Sequence, residues 1–157
     1  MQIIVNCFTP YRGGFVMLQK PRRGWWVLPG GKVNPDEIWP SAAKREMLEE
    51  AGLLVDNVVL RGVHLLYMDE QSTSPERLIA QFSATCVGGE LLTECKEGKL
   101  DVVTADKLAD LPMDEGDRLM VTRTLQSIEA GESRVYFGSF RYDANRQLLN
   151  WSLEPKA

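Results

Sequence analysis

Apolar and polar positions divide the chain into elements of two periods. Residues 2–9 (QIIVNCFT) and 14–20 (GFVMLQK) read as strands joined across Pro10, Tyr11, Arg12 and Gly13, which predicts a β-hairpin. A helix is predicted from about Trp39, where Pro40 fits the first turn, to Gly52, a residue suited to the position after a helix end. Its Ala42, Ala43, Met47 and Ala51 can turn inward. Residues 54–70 are β-branched and apolar, predicting strands interrupted at Arg61 and Gly62, and 69–75 form a polar turn. The next strand, 76–87, sets Leu78, Ala80, Phe82 and Ala84 against Ile79, Gln81, Ser83 and Thr85. A short strand at 99–103 and a helical turn at 106–109 follow. An amphipathic helix over 114–128 opens on Asp114, with Asp117 three residues later, and carries Val121, Leu125 and Ile128 inward. Residues 134–142 and 147–153 close the chain as a hairpin. Two helices among early and late strands predict an α+β sandwich.

Composition narrows the picture. A chain of 157 residues with 44% apolar content fits one domain, 1–157, able to bury a core without disulfides or a structural metal. Net charge is −4 and no stretch is strongly basic, which argues against a long nucleic-acid surface. No run approaches the ~18 apolar residues of a membrane span, and the start has no basic segment or long apolar stretch, so a cytoplasmic location is expected. Cys7, Cys86 and Cys95 are widely spaced without a C-x-x-C pair and read as reduced packing residues. His64, the only histidine, lies in an apolar run and reads as a packed strand residue.

The chemistry concentrates between Gly30 and Leu53. Glu46, Glu49 and Glu50 stand at i, i+3 and i+4, a spacing that places three carboxylates on one helical face. A divalent cation would relieve their repulsion, and Mg²⁺ suits hard oxygens shared with substrate phosphates. Pro29, Gly30 and Gly31 allow a tight turn that could bring Lys32 and backbone amides near phosphates. Lys20, Arg22 and Arg23 place positive charge beside that turn; a solvated basic loop and phosphate contact are equally open readings.

Gly31, Glu37, Arg45, Glu46, Glu49, Glu50 and Gly52, with aliphatic Met47 and Leu53, match the Nudix box at every fixed spacing, so the chain resembles a Nudix hydrolase. The resemblance implies an α/β/α sandwich with a mixed β-sheet and a loop-helix-loop catalytic motif. It also implies attack of water on a nucleotide phosphorus with Mg²⁺ or Mn²⁺, held by Gly31, Glu46, Glu49, Glu50 and a loop carboxylate. Glu97 matches that loop position, with Glu94 in reserve, and Glu46, Glu49, Glu50 and Glu97 are the implied catalytic set. Glu37 and Arg45 would orient loop and helix as a charged pair, with Gly52 completing the motif. Lys20, Arg22, Arg23, Gly30, Lys32 and Asp117 are candidates for substrate contact.

Beyond the box, the chain is similar to the oxidised-purine nucleoside triphosphate diphosphatases typified by 8-oxo-dGTP hydrolysis. The similarity rests on length, Lys20 and the closing YFGSFRYDANRQLLNWSLEP. Asp117 falls near that group's base-reading aspartates, whereas Val27 stands where an asparagine is expected. Trp25, Trp26 and Phe137 could stack on a base or belong to the core. ADP-ribose, dinucleoside polyphosphates and RNA 5′ ends are alternative substrates, and a nucleotide-binding module without turnover is the rival class. The expected partner is a small nucleotide, and the expected assembly is a monomer or homodimer.

Overall fold

The structure is a computed structural model describing residues 1–156. Its larger sheet runs β11–β10–β6–β7–β1–β5, comprising β1 (Gln2–Phe8), β5 (Gly30–Lys32), β6 (Leu53–Tyr67), β7 (Arg77–Gly89), β10 (Tyr136–Tyr142) and β11 (Leu148–Glu154). β1 lies parallel to β7 and β10 parallel to β6, while the other pairs are antiparallel, so the sheet is mixed. A smaller sheet holds β2 (Pro10–Tyr11), β3 (Gly14–Gln19), β9 (Gly98–Val103) and β8 (Glu94–Cys95), with β4 (Trp26–Val27) paired to β3. Helix α1 (Trp39–Glu46) and helix α2 (Glu115–Glu129) complete the α+β architecture, with a 3₁₀ turn at Ala105–Asp110.

The expected hairpin of residues 2–9 with 14–20 does not form. β1 pairs with β7 on one side and β5 on the other, whereas β3 belongs to the second sheet. The chain changes sheets at Pro10, which has no amide hydrogen to extend a ladder. The reversal is made instead between β2 and β3, at Arg12 and Gly13, both with positive φ (47° and 84°).

The segment after α1 also departs from expectation. The strands expected to break at Arg61 and Gly62 form one continuous β6, which shifts register between Leu54 and Val55, Asp56 and Val59, and Leu60 and Gly62. Bulges of this kind bend a strand without ending it. Its partner β7 is buried on both faces from Ile79 to Ala84, not on one. The reason lies in the layers above and below. Ala80, Phe82 and Ala84 meet the α1 side, where Ala42, Ala43, Met47 and Ala51 pack with Val5 and Cys7. On the α2 side Gln81 is kept in the interior by the Thr124 hydroxyl, and Ser83 accepts from Arg61 Nε at 2.8 Å. His64 is buried among Leu66, Phe140 and Gly138, its ring edge-on to Phe140. All three cysteines are free.

Candidate active site

Gly30 and Gly31 set the geometry of one end of the site. β5 runs so close to β1 that a side chain at Gly30 would strike the Val5 carbonyl and Asn6. At Gly31 an added Cβ would sit 2.6 Å from Glu46 Oε1, so the glycine makes room for that carboxylate. Gly30 N in turn donates to Glu50 Oε1 at 2.8 Å. Strand and helix are thereby joined through two glutamates.

The helix is not uniform here. After Glu46 it widens into a π turn, Met47–Ala51, before Gly52 closes it in the left-handed region at φ 76°. A π turn advances less per residue than an α turn, and within it Glu50 turns inward beside Glu46 while Glu49 stays nearer solvent, still sharing Arg45 Nη1 with Glu46. Glu46 and Glu50 are accordingly buried, while the Glu49 side chain is 58% exposed. Among the described residues no three acidic, histidine or cysteine side chains already stand at metal-ligand spacing, but Arg45 Nη1 joins Glu46 to Glu49 and the Glu46 charge acts on Glu50.

Arg45 holds this region together. Its Nε and Nη2 form a two-pronged pair with Glu37 at 2.8 and 2.9 Å, and Nη2 also donates to the Lys32 carbonyl at 3.1 Å. Nη1 donates to Glu46 Oε1 at 2.8 Å and Glu49 Oε2 at 3.3 Å. Planar, charge-assisted bonds of this kind fix orientation as well as charge. Glu37 also accepts from Asn34 N at 3.1 Å, and Arg45 with that amide holds its carboxyl below the usual range. Burial pushes Glu46 the other way, with Arg45 opposing. Glu50 rises to about 7, chiefly through burial, with the Gly30 amide opposing and the Glu46 charge adding to the rise. Two buried, mutually repelling oxygen ligands with no nitrogen or sulfur donor beside them suit a hard divalent cation.

From Glu50, Gly30 and Gly31 a cleft of about 460 Å³ runs to Asp114, Asp117 and Arg146. Lys20, Arg22 and Arg23 line it, as do Trp25 and Val27. Lys20 Nζ bonds Glu97 Oε2 at 3.0 Å, which brings the loop glutamate to the cleft edge; Glu94, in β8, is exposed. Arg23 lies over the Trp25 ring at 4.9 Å, and Arg146 approaches the same ring at 5.9 Å.

The far end is built by α2. Asp114 caps the helix, its Oδ2 accepting from Asp117 N at 3.1 Å and from the Tyr142 hydroxyl at 2.6 Å. Its Oδ1 is buried without a partner, as is Asn6 Oδ1 on β1. Asp117 is pushed up to about 7 by burial and the Asp114 charge, against Arg146 and Arg77.

Three sequence candidates stand elsewhere. Lys32 lines a separate opening beside Met1, Val33 and Trp39, because β5 carries it past the cleft to the outer side of the Glu37–Arg45 pair. Trp26 packs in the core with Phe8 and Leu28, and Phe137 is 57% exposed, away from the cleft residues. Conversely, Asn6, Arg77 and Arg146 line the cleft without any local motif to announce them, and Asp114 had signalled only a helix cap. The Asp-x-x-Asp pair at a helix start was the one usable hint.

A NUDIX domain model matches residues 2–124, and the chain belongs to the Nudix hydrolases, which act on phosphoanhydride bonds of nucleoside diphosphate derivatives. It is 32% identical over 157 residues to the Nudix hydrolase YvcI of Bacillus subtilis, covering 99% of this chain and 96% of that one. The mouse oxidized purine nucleoside triphosphate hydrolase is 31% identical over 143 residues, covering 88% and 85%. Among solved structures, the MutT protein of Bacillus halodurans superposes with a TM-score of 0.89 at 35% identity over the full length of both chains. An ADP-ribose pyrophosphatase of Streptococcus suis, 20% identical with a TM-score of 0.63 over 90% and 98%, shares the fold.

Proposed function

We propose that this hydrolase acts on a nucleoside triphosphate, with an oxidised purine such as 8-oxo-dGTP as the leading substrate, releasing the monophosphate and pyrophosphate. The observation that carries the reading is the cleft itself. It joins the buried Glu50 and a basic rim, suited to phosphates, to a recess lined by Trp25 and two aspartates, suited to a base. The 31% identity to the mouse oxidized purine nucleoside triphosphate hydrolase supports the same choice.

Nudix hydrolases generally need a divalent ion, and we assign Mg²⁺ to Glu46, Glu49 and Glu50, with Glu97 and the Gly31 backbone as further ligands. Bound there, it would neutralise charge developing on phosphate oxygens. The protein's own groups do the rest. Lys20, Arg22 and Arg23 draw a polyanion into an otherwise acidic molecule. Arg45 and Glu37 keep the glutamate-bearing helix against the Gly30–Gly31 strand, which positions the reacting end without touching substrate. Glu50 lines the cleft, where it or the nearby Glu97 would accept the proton of the attacking water.

The test is a substrate panel at equal concentration with Mg²⁺, comparing 8-oxo-dGTP, dGTP, other nucleoside triphosphates, ADP-ribose and diadenosine polyphosphates. The reading expects pyrophosphate release, fastest with 8-oxo-dGTP. Faster turnover of ADP-ribose or a dinucleoside polyphosphate would replace this substrate assignment, and binding without turnover would favour a non-catalytic module.

A further inference from the structure

The base recess contains donors and acceptors that nothing in the protein uses. The Arg146 side chain makes no hydrogen bond or ion pair among the described residues, and its Nε is buried without a partner. Asp114 Oδ1 and Asn6 Oδ1 are unpartnered acceptors lining the same cleft. Buried polar atoms are seldom left unpaired, because each loses its water without compensation. Here a donor and two acceptors are left over around one cavity.

The backbone at Arg146 points the same way. Its φ of 62° lies in the left-handed region, where glycine or asparagine is the ordinary choice. The turn between β10 and β11 imposes that conformation. Arg146 N donates to the Asp143 carbonyl at 3.1 Å, and Asp143 Oδ1 accepts from Asn145 N and Gln147 N at 2.8 and 3.0 Å. An arginine held at such a position is disfavoured by local conformation, and the cavity is what its side chain reaches. Strain of this sort collects at functional sites.

We propose that Arg146 is a specificity-determining residue, donating to the carbonyl edge of a 6-oxopurine while Asp114 and Asn6 accept from the base's N–H groups. The inference rests on the nucleotide-hydrolase reading above and names the base within it. A guanine-type base offers an acceptor at O6 and donors at N1 and N2; N7 accepts in guanine but carries a hydrogen in 8-oxoguanine, so O6 is the acceptor that the two 6-oxopurines share. An adenine-type base presents an amino group where the arginine also donates, so two donors face each other. The 8-oxo group is not needed for this discrimination; it separates guanine from adenine types.

The decisive variants are Arg146→Gly, which suits the positive φ and so removes the side chain without straining the turn, and Arg146→Lys, which keeps charge but not the planar fork. Steady-state kcat/KM is measured for dGTP, 8-oxo-dGTP and dATP. The wild type is expected to favour the two 6-oxopurines. R146G should lower their kcat/KM roughly tenfold or more, mostly through KM, and dATP much less, so that the preference collapses. R146K should recover only a small part. Equal losses on all three substrates, or no loss, would overturn the assignment, as would a wild-type preference for dATP. A melt of R146G at or above the wild-type temperature shows that the turn is intact. If wild type turned over no triphosphate, the hydrolase reading would fall separately, and calorimetric binding of GMP against AMP to wild type and R146G would still decide the role of Arg146. Selective weakening of GMP supports it; equal weakening sinks it.

Discussion

The two ends of the cleft are both acidic, yet they are held in opposite ways. At the Glu46–Glu50 end, one guanidinium engages three carboxylates and a carbonyl, and the Gly30 amide engages a fourth carboxylate. At the Asp114–Asp117 end the arginines stand off and buried polar atoms go unanswered. A knotted end is rigid and can fix reacting groups; an end with open valences is ready for a ligand's own donors and acceptors. Under the proposed function, the contrast assigns the chemistry to the first end and recognition of the molecule being cut to the second.

The sharpest way to break this division is Glu50→Gln. Glutamine keeps the shape and can still accept from Gly30 N, but it removes charge and proton affinity. Turnover should fall by roughly 10²–10⁴-fold on every substrate alike, with the melting temperature unchanged or raised. Activity retained at saturating Mg²⁺ would move the chemistry elsewhere.

Arg45→Lys comes next. An ammonium cannot bond Glu37 in two prongs while also reaching Glu46 and the Lys32 carbonyl. A decrease in kcat of about 10–100-fold is expected, again for all bases, with a higher metal concentration needed for half-maximal rate. A change confined to one base would contradict the assignment of Arg45 to the reacting end.

The smallest effect belongs to Asp117→Asn, read through stability against pH. Asp117 rises from 3.8 to about 7 on folding, so between those values the folded protein keeps a proton that the unfolded chain releases. Its contribution is therefore full below about pH 4 and lost as pH climbs through 7. Wild-type stability should decline over that window, and D117N should remove part of the decline, about 1–2 kcal/mol or a few degrees of melting temperature. Glu50 shifts in the same direction, so a residual slope is expected to remain in D117N and to diminish in E50Q. Identical slopes in wild type and D117N would show that folding does not raise the Asp117 carboxyl.

The same contrast explains what could be read from sequence. The glutamate end draws Gly31, Glu37, Arg45, Glu46, Glu49 and Glu50 from one short segment, so spacing alone placed them near one another. Helix ends at Gly52 and Asp114 were legible for the same reason, since caps are local chemistry. The π turn, in which Glu49 is more exposed than Glu46 and Glu50, was hidden, because i, i+3 and i+4 spacing presumes α geometry. The aspartate end assembles Asn6, Arg77, Asp114 and Arg146 from four distant segments, two on paired strands, one at a helix cap and one in a turn, and only tertiary packing brings them together. The mistaken hairpin had the same origin: adjacent strands invite pairing, and the parallel partner of β1 lies 75 residues away.

One strand touches both ends. β1 places Val5 opposite Gly31 and Asn6 opposite Gly30, and along its pleat Val5 and Cys7 turn to the α1 core while Asn6 meets the cleft. A slip of a single residue would swap those two sets and send the amide into hydrocarbon. β1 thus serves as a ruler between the glutamate end and the aspartate end of the cleft. Added length can be absorbed at the Arg12–Gly13 bend, outside the measured interval, but not between residues 2 and 8.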